Sequence, residues 1–256
     1  MSVLFYEDDA DATFVSSDNI LFKIHSASLN VCTSRGLARE SQDTPIESDP
    51  IQLQEPADVL EILFQFIEPP PASRNYKHPS IFTLSPELFF GVAGAAEKYV
   101  VYGATDICSV RMEQLLPEYP CEVLNHCILH GHTDLGDRAA VKALKCTPDS
   151  DEAARIFTAP GLLHRYRIYY QKCCVAGQRA AAAISTGDCT RILARYKAYR
   201  MQLDENPGSI DQIPSFPSIA CTWLPSSPCS CADNSPTNST KFRIAKQMIP
   251  KFSAIP

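Results

Sequence analysis

The sequence predicts an α+β fold for the first part of the chain, followed by an all-helical extension and a Pro/Ser-rich tail. Alternating apolar residues near the start indicate a β-hairpin, with Ile20, Phe22 and Ile24 on one face. Apolar stripes at helical spacing then run from about residue 57 to residue 203. Residues 206–256 contain eight prolines and nine serines, which is typical of a tail or an extended cover.

Composition and breaker residues divide the 256-residue chain into four predicted segments. Residues 1–9 form an acidic N-terminal segment and residues 10–116 form the α+β domain. Residues 117–205 form the helical extension, and residues 206–256 form the tail. The formal net charge is −6, with acidic residues in excess up to residue 120 and basic residues in excess after it. This asymmetry argues against nucleic-acid binding by the first half and leaves it open for the second.

The chain is predicted to remain inside the cell, in the cytoplasm or the nucleus. No apolar run approaches the roughly 18–20 residues that a membrane span needs. The acidic start does not resemble a signal peptide. Eleven cysteines at irregular spacing are therefore interpreted as reduced thiols.

The first hairpin is predicted to be followed by a short helix, a strand, and two capped helices. Ser26 or Ser28 can begin the short helix, and residues 51–53 read as a short strand. Pro56 suits the first position of the next helix because it has no amide hydrogen to leave unpaired. The helix that begins near Pro86 is expected to use Gly103 as its left-handed terminating residue. Further helices are predicted at residues 105–117, 120–130, 135–144, 160–184 and 188–203.

Several stretches resemble the BTB/POZ domain family, in the order in which that family carries them. Residues 11–15 and 20–29 are similar to its opening strand, turn and Phe-x-apolar-His segment. Residues 51–53 and 59–67 resemble its next strand and its Phe/Leu-rich helix. The pentapeptide Ala-Ala-Glu-Lys-Tyr at residues 95–99 resembles its most specific signature. The helices after residue 117 resemble, more loosely, the extensions of fungal, basidiomycete-like BTB proteins.

The resemblance implies a BTB/POZ fold, a small sheet flanked by helices, and a non-enzymatic scaffold or adaptor that forms homodimers. Members of this family self-associate through the first strand and neighbouring helices. The corresponding surface here comprises Asp11, Phe14, Val15 and Leu29, and the residues expected to be structural are His25 and Tyr99.

The resemblance also implies a cullin-type ubiquitin ligase as a possible partner. Members that recruit cullins carry an apolar-x-Glu motif before the second strand. In this chain that loop, residues 38–50, offers Pro45-Ile46-Glu47 without a clean copy of the motif.

A basic region supports an alternative function, that of a nucleic-acid-associated regulator. Residues 153–203 contain nine arginines or lysines and a single acidic residue. Arg191, Arg195 and Arg200 form the possible partner face. Interleaved tyrosines at positions 166, 169, 170, 196 and 199 could stack on bases. A solvated helical face, or docking on the acidic first half, explains the same pattern.

Two groups of residues have side chains able to bind metal, although neither matches a standard site. One is Cys127 with His130 and His132. The other comprises the thiols of Cys173, Cys174, Cys221, Cys229 and Cys231. Buried cysteine acting as a small apolar residue is the simpler interpretation, and packing of Trp223 could hold the tail without metal. We assign no metal and no cofactor. No catalytic motif is found, so we predict that the chain is not an enzyme.

Overall fold

The computed structural model describes residues 2, 4–33, 50–68, 78–184, 201, 247 and 249–256. The chain separates into two compact units, Met1–Leu115 and Leu116–Pro256. The predicted helix at residues 188–203 lies outside the described residues except for Met201, as do most of the tail and the loop at residues 38–49.

The first unit contains a three-stranded mixed sheet, which confirms the predicted α+β fold class. The strands are β1 (Ala12–Val15), β2 (Leu21–Ile24) and β3 (Ile51–Gln52), in the order β2-β1-β3. β1 is antiparallel to β2 and parallel to β3. The predicted hairpin is therefore confirmed, and the helix α1 (Ser26–Cys32) follows it directly.

The first residues of the chain lie along the outer edge of β2. The Ser2 amide donates to the Leu21 carbonyl, and the Lys23 amide donates to the carbonyl of Phe5. The Phe5 ring is buried in the core. Ser2 and Phe5 thus cover part of an edge that would otherwise expose unpaired main-chain groups. The predicted acidic N-terminal segment therefore contributes contacts to the first unit.

Three longer helices complete the first unit: α2 (Ala57–Phe64), α3 (Pro86–Tyr99) and α4 (Tyr102–Leu115). A 3₁₀ turn at Ile81–Thr83 packs on α4. The apolar stripe of α2 is buried as its spacing predicts, because Leu60, Leu63 and Phe64 all face the core.

The end of α3 differs from the prediction. Val100, rather than Gly103, has the left-handed conformation, with φ of 52°. Gly103 lies within α4 instead. A β-branched residue rarely adopts positive φ. It does so here because Val101 is fully buried and bridges Thr33, which fixes the chain direction on both sides of Val100.

The second unit is helical over its described residues. Its helices are α5 (Pro120–His130), α6 (Thr133–Ala143), α7 (Asp151–Ile156) and α8 (Leu162–Ile184). α5 ends at Gly131, which has a φ of 82°. This confirms the predicted end of the helix, since glycine adopts positive φ without steric cost. α7 was not predicted, although Ser150 caps it by accepting from the Ala153 amide.

The end of the chain packs onto the second unit through a 3₁₀ turn at Phe252–Ala254. Phe252 and Ile255 are buried, and the Arg165 guanidinium donates to the carbonyl oxygens of both residues. The final residues therefore belong to a packed unit, which agrees with an extended cover for this part of the tail. Among the described residues, no helix is sufficiently long and apolar to cross a membrane.

Candidate interaction surface

Two of the four residues predicted for self-association are enclosed in the core of the first unit. Phe14 and Leu29 are 0% exposed. Phe14 lies on the face of β1 that packs against Phe64, with ring centroids 5.6 Å apart. Because both side chains already contact their own unit, the prediction that they form the surface is corrected. Their role in the described structure is to fill the core.

The other two predicted residues remain partly or fully accessible. Val15 is half-buried, and β1 is the central strand of the sheet, so its main chain pairs with Leu21 and Gln52. Asp11 is exposed, but both of its carboxylate oxygens are engaged. They accept from the Ser26 amide and from the Ser26 hydroxyl, each at 2.6 Å. Asp11 therefore caps α1, whose N-cap residue provides no side-chain hydrogen bond.

Exposed apolar side chains instead surround the bridge between Thr33 and Val101. Val100 and Tyr102 flank Val101, and they are 38% and 52% exposed. Val101 itself is buried, whereas both of its neighbours in the chain are accessible. Val31 lies two residues before Thr33 and is 77% exposed. We call Val31, Val100 and Tyr102 the bridge patch.

A polar cluster fixes the chain immediately before the bridge patch. Tyr99 is buried, and its hydroxyl donates to one Glu55 carboxylate oxygen at 2.5 Å. Lys98 donates to the other oxygen at 2.8 Å. Burial acts to raise the pKa of Glu55, but the two hydrogen bonds outweigh it and lower the pKa overall. Tyr99 and Lys98, the last residues of the Ala-Ala-Glu-Lys-Tyr stretch, thus join α3 to the segment before α2. These contacts support the structural role predicted for Tyr99.

His25 lies where β2 ends and α1 begins, in an acidic environment. Its Nδ1 contacts Glu68 Oε1, its Nε2 lies 3.6 Å from Asp9, and its amide donates to Glu68 Oε2 at 2.9 Å. The hydrogen bond that His25 donates to Glu68 raises the pKa of His25, against a smaller opposing effect of burial. A carboxylate of Glu7 is also nearby. These contacts tie β2 and α1 to the residues after α2, which supports a structural role for His25.

We expect the His25 cluster to stabilise the fold at acidic to neutral pH and to lose its effect in alkaline solution. Because the folded pKa is raised, the contribution is complete below the unfolded value of about 6.5 and disappears as pH rises through the folded value. The group is partly exposed, so the loss should be at most about 1 kcal/mol. The measurement is the urea midpoint at about pH 6 and about pH 8.5 for the native chain and for His25→Gln.

The matched control for this measurement is His164→Gln, because His164 is exposed on α8. The difference in urea midpoint between the native chain and His25→Gln should be smaller at the higher pH. The control should have the midpoint of the native chain at both pH values. An equal difference at both pH values would contradict a stabilising protonated His25.

Some residues in the described part of the basic region are engaged within their own unit. Tyr166 and Tyr169 are 0% exposed and cannot stack on bases, which corrects that part of the nucleic-acid hypothesis. Tyr166 donates its hydroxyl to the carbonyls of Ala143 and Cys146. The guanidinium of Arg165 lies over the Phe252 ring, 4.9 Å from its centroid. Arg191, Arg195 and Arg200 lie outside the described residues, so that partner face stays a prediction.

The structure describes the first predicted metal group and only part of the second. Cys127 is buried in the close packing of α5 on α6, where a Cβ at Gly136 would lie 3.3 Å from its own Cβ. Cys173 is buried and Cys174 is half-buried, while their proposed partners Cys221, Cys229 and Cys231 lie outside the described residues.

The structure instead brings a third histidine to His130 and His132. The ring centroid of His126 lies 4.5 Å from that of His130 and 5.9 Å from that of His132. His126 was not predicted, because Cys127 was the expected ligand on this helix. Its spacing of four residues from His130 was the available signal, since such residues share a helix face.

No family model, curated protein or solved structure matches the chain.

Proposed function

We propose that the chain is a non-enzymatic protein-interaction module that self-associates through its first unit and serves as a scaffold or adaptor. The resemblance to the BTB/POZ family suggests this function. The order of elements in the first unit supports it: a hairpin, a short helix, a strand parallel to β1, and then helices. Self-association through the first strand and neighbouring helices would use surfaces close to α1.

The bridge patch is the observation that carries the proposal. Val31, Val100 and Tyr102 each expose apolar surface within two residues of the bridge between Thr33 and Val101, although isolated exposed apolar residues would be unremarkable. Burying such surface against a second copy is favourable by about 25 cal/mol per Å². Tyrosine is also enriched at protein interfaces. A two-fold symmetric contact would bring each bridge patch against the same surface of the partner copy.

A strained residue within the patch gives additional support. Val100 has left-handed backbone at a position where glycine is the usual choice, and this costs roughly 1–2 kcal/mol. Strain of this kind is found preferentially at functional sites. In this case it presents an apolar side chain to solvent next to Tyr102, where glycine would present none.

Light scattering of the full chain over a roughly hundredfold concentration range tests the proposal. We expect the native chain to form a dimer that dissociates on dilution. Val31→Asp should weaken the dimer at least about tenfold, which corresponds to about 1.4 kcal/mol, because it places a charge in the apolar contact. Tyr102→Ala should weaken it in the same direction. Neither side chain is part of the core, so both variants should retain the native circular dichroism spectrum.

Val175→Asp provides the matched control, because Val175 is an exposed valine on α8, outside the patch. It should leave the dimer unchanged. A native chain that is monomeric over the whole range would overturn the proposal. Equal weakening by Val31→Asp and Val175→Asp would remove the bridge patch as the contact surface.

A further inference from the structure

We infer that His126, His130 and His132 form a binding site for a divalent transition-metal ion at the turn between α5 and α6. These are three of the six histidines in the chain, and they lie within the seven residues 126–132. The inference concerns the second unit and does not depend on the function proposed for the first.

The helix and its terminating turn bring the three imidazoles together. His126 and His130 are four residues apart on α5 and therefore occupy the same face. Gly131 then reverses the chain with a φ of 82°. The His132 amide donates back to the carbonyl of Cys127 at 2.9 Å, which closes the turn. As a result, the His132 ring is stacked nearly parallel to the His126 ring, with 9° between the planes.

The spacing of the rings suits a shared ion. The ring centroids of His130 and His132 lie 4.5 and 5.9 Å from that of His126. A nitrogen of His132 lies within 4.8 Å of a nitrogen of His126. A ring that binds zinc through nitrogen at about 2.0–2.1 Å places its centroid roughly one ångström further from the metal. Two rings sharing one ion therefore have centroids about 5 Å apart. Binding by all three rings requires the more exposed rings to rotate until their nitrogens meet at a common point.

The position of the site favours a cation. The turn lies at the C-terminal end of α5, where the helix dipole attracts positive charge.

The chemistry of the three rings selects the class of ion. Imidazole binds Zn²⁺, Ni²⁺ and Cu²⁺, whereas Mg²⁺ and Ca²⁺ prefer oxygen. His126 is buried, His130 is half-buried and His132 is exposed, so the outer side of the site faces solvent. Three protein ligands would leave the remaining coordination positions to water. The ion would hold the first turn of α6 against the last turn of α5.

Calorimetric titration of the full, reduced chain with Ni²⁺ at about pH 7.5 tests the inference. His132→Asn is the main variant, because position 132 is the N-cap of α6 and asparagine is a favoured residue there. The variant should therefore fold normally. Loss of a residue that only supports a metal ligand weakens binding about 10- to 100-fold, so loss of a ligand should weaken it at least about tenfold. His130→Gln should have the same effect.

His164→Gln is the control, since it removes an exposed histidine from α8 of the same unit. It should bind Ni²⁺ as the native chain does. In a parallel measurement, Ni²⁺ should raise the thermal unfolding midpoint of the native chain and the control, but not that of His132→Asn. Absence of Ni²⁺ binding to the native chain would overturn the inference. So would equal binding by His132→Asn and His164→Gln, which would assign the ion to thiols or to other side chains.

Discussion

Replacing Phe64 with alanine is expected to lower the free energy of unfolding of the first unit by about 3–5 kcal/mol. The ring is 0% exposed and joins the N-terminal segment to both strands of the hairpin. Its centroid lies 5.9 Å from that of Phe5, 5.6 Å from Phe14 and 5.3 Å from Phe22. Truncation removes all three contacts and leaves a cavity that rigid neighbours cannot fill. Hydrogen exchange read out by mass spectrometry measures the loss separately for each unit.

Phe82→Ala is the control for this experiment, because Phe82 is a phenylalanine of the same unit that is 45% exposed. This control should change the free energy of unfolding by no more than about 0.5 kcal/mol. A comparable loss of protection in both variants would contradict the assignment of Phe64 to the centre of the core.

Phe252→Ala is expected to have the second-largest effect, about 3 kcal/mol on the stability of the docked C-terminal segment. The ring is 1% exposed and meets the ring of Tyr169 edge-on at 5.3 Å. The Arg165 guanidinium covers it at 4.9 Å. This loss of stability is at the low end of the range usual for truncating a buried phenylalanine, because residues close to the chain end can detach without unfolding the helices. The variant should exchange amide hydrogens faster at residues 251–256 and be cleaved there more readily by protease.

Lys251→Ala is the control, because Lys251 is exposed and precedes the anchored ring. It should leave exchange and cleavage unchanged. A second observation supports the docked position: the Ser253 amide and hydroxyl both donate to the carboxylate of Asp137 on α6. Unchanged exchange in Phe252→Ala would mean that Asp137 and Arg165 hold the segment without the ring.

Local features of the sequence predicted much of the secondary structure. The alternation of Ile20, Phe22 and Ile24 placed a strand, and the structure has one at Leu21–Ile24. The apolar stripe from Leu60 predicted the core-facing side of α2. Gly131 marked the end of α5. Each of these signals is contained within a few neighbouring residues, where backbone preferences and side-chain periodicity act directly.

Helix capping could be predicted only in part. Ser85 and Ser150 cap α3 and α7 from the adjacent position, as local rules require. By contrast, Asp11 caps α1 from the start of β1, and Asp18 accepts from the Ala57 amide at the start of α2. A carboxylate that lies 15 or 39 residues away in sequence reaches these helices only after the hairpin has folded.

The sequence by itself determined which segments are strands and helices and where several of them end. The tertiary structure decided which side chains are enclosed and which remain accessible. It buried Phe14 and Leu29, exposed Val31 and placed Val100 in a left-handed turn. Periodicity shows that a residue lies on an apolar face, but not whether that face is covered. Covering depends on contacts between residues far apart in the chain, and these contacts decide which side chains the candidate surface exposes.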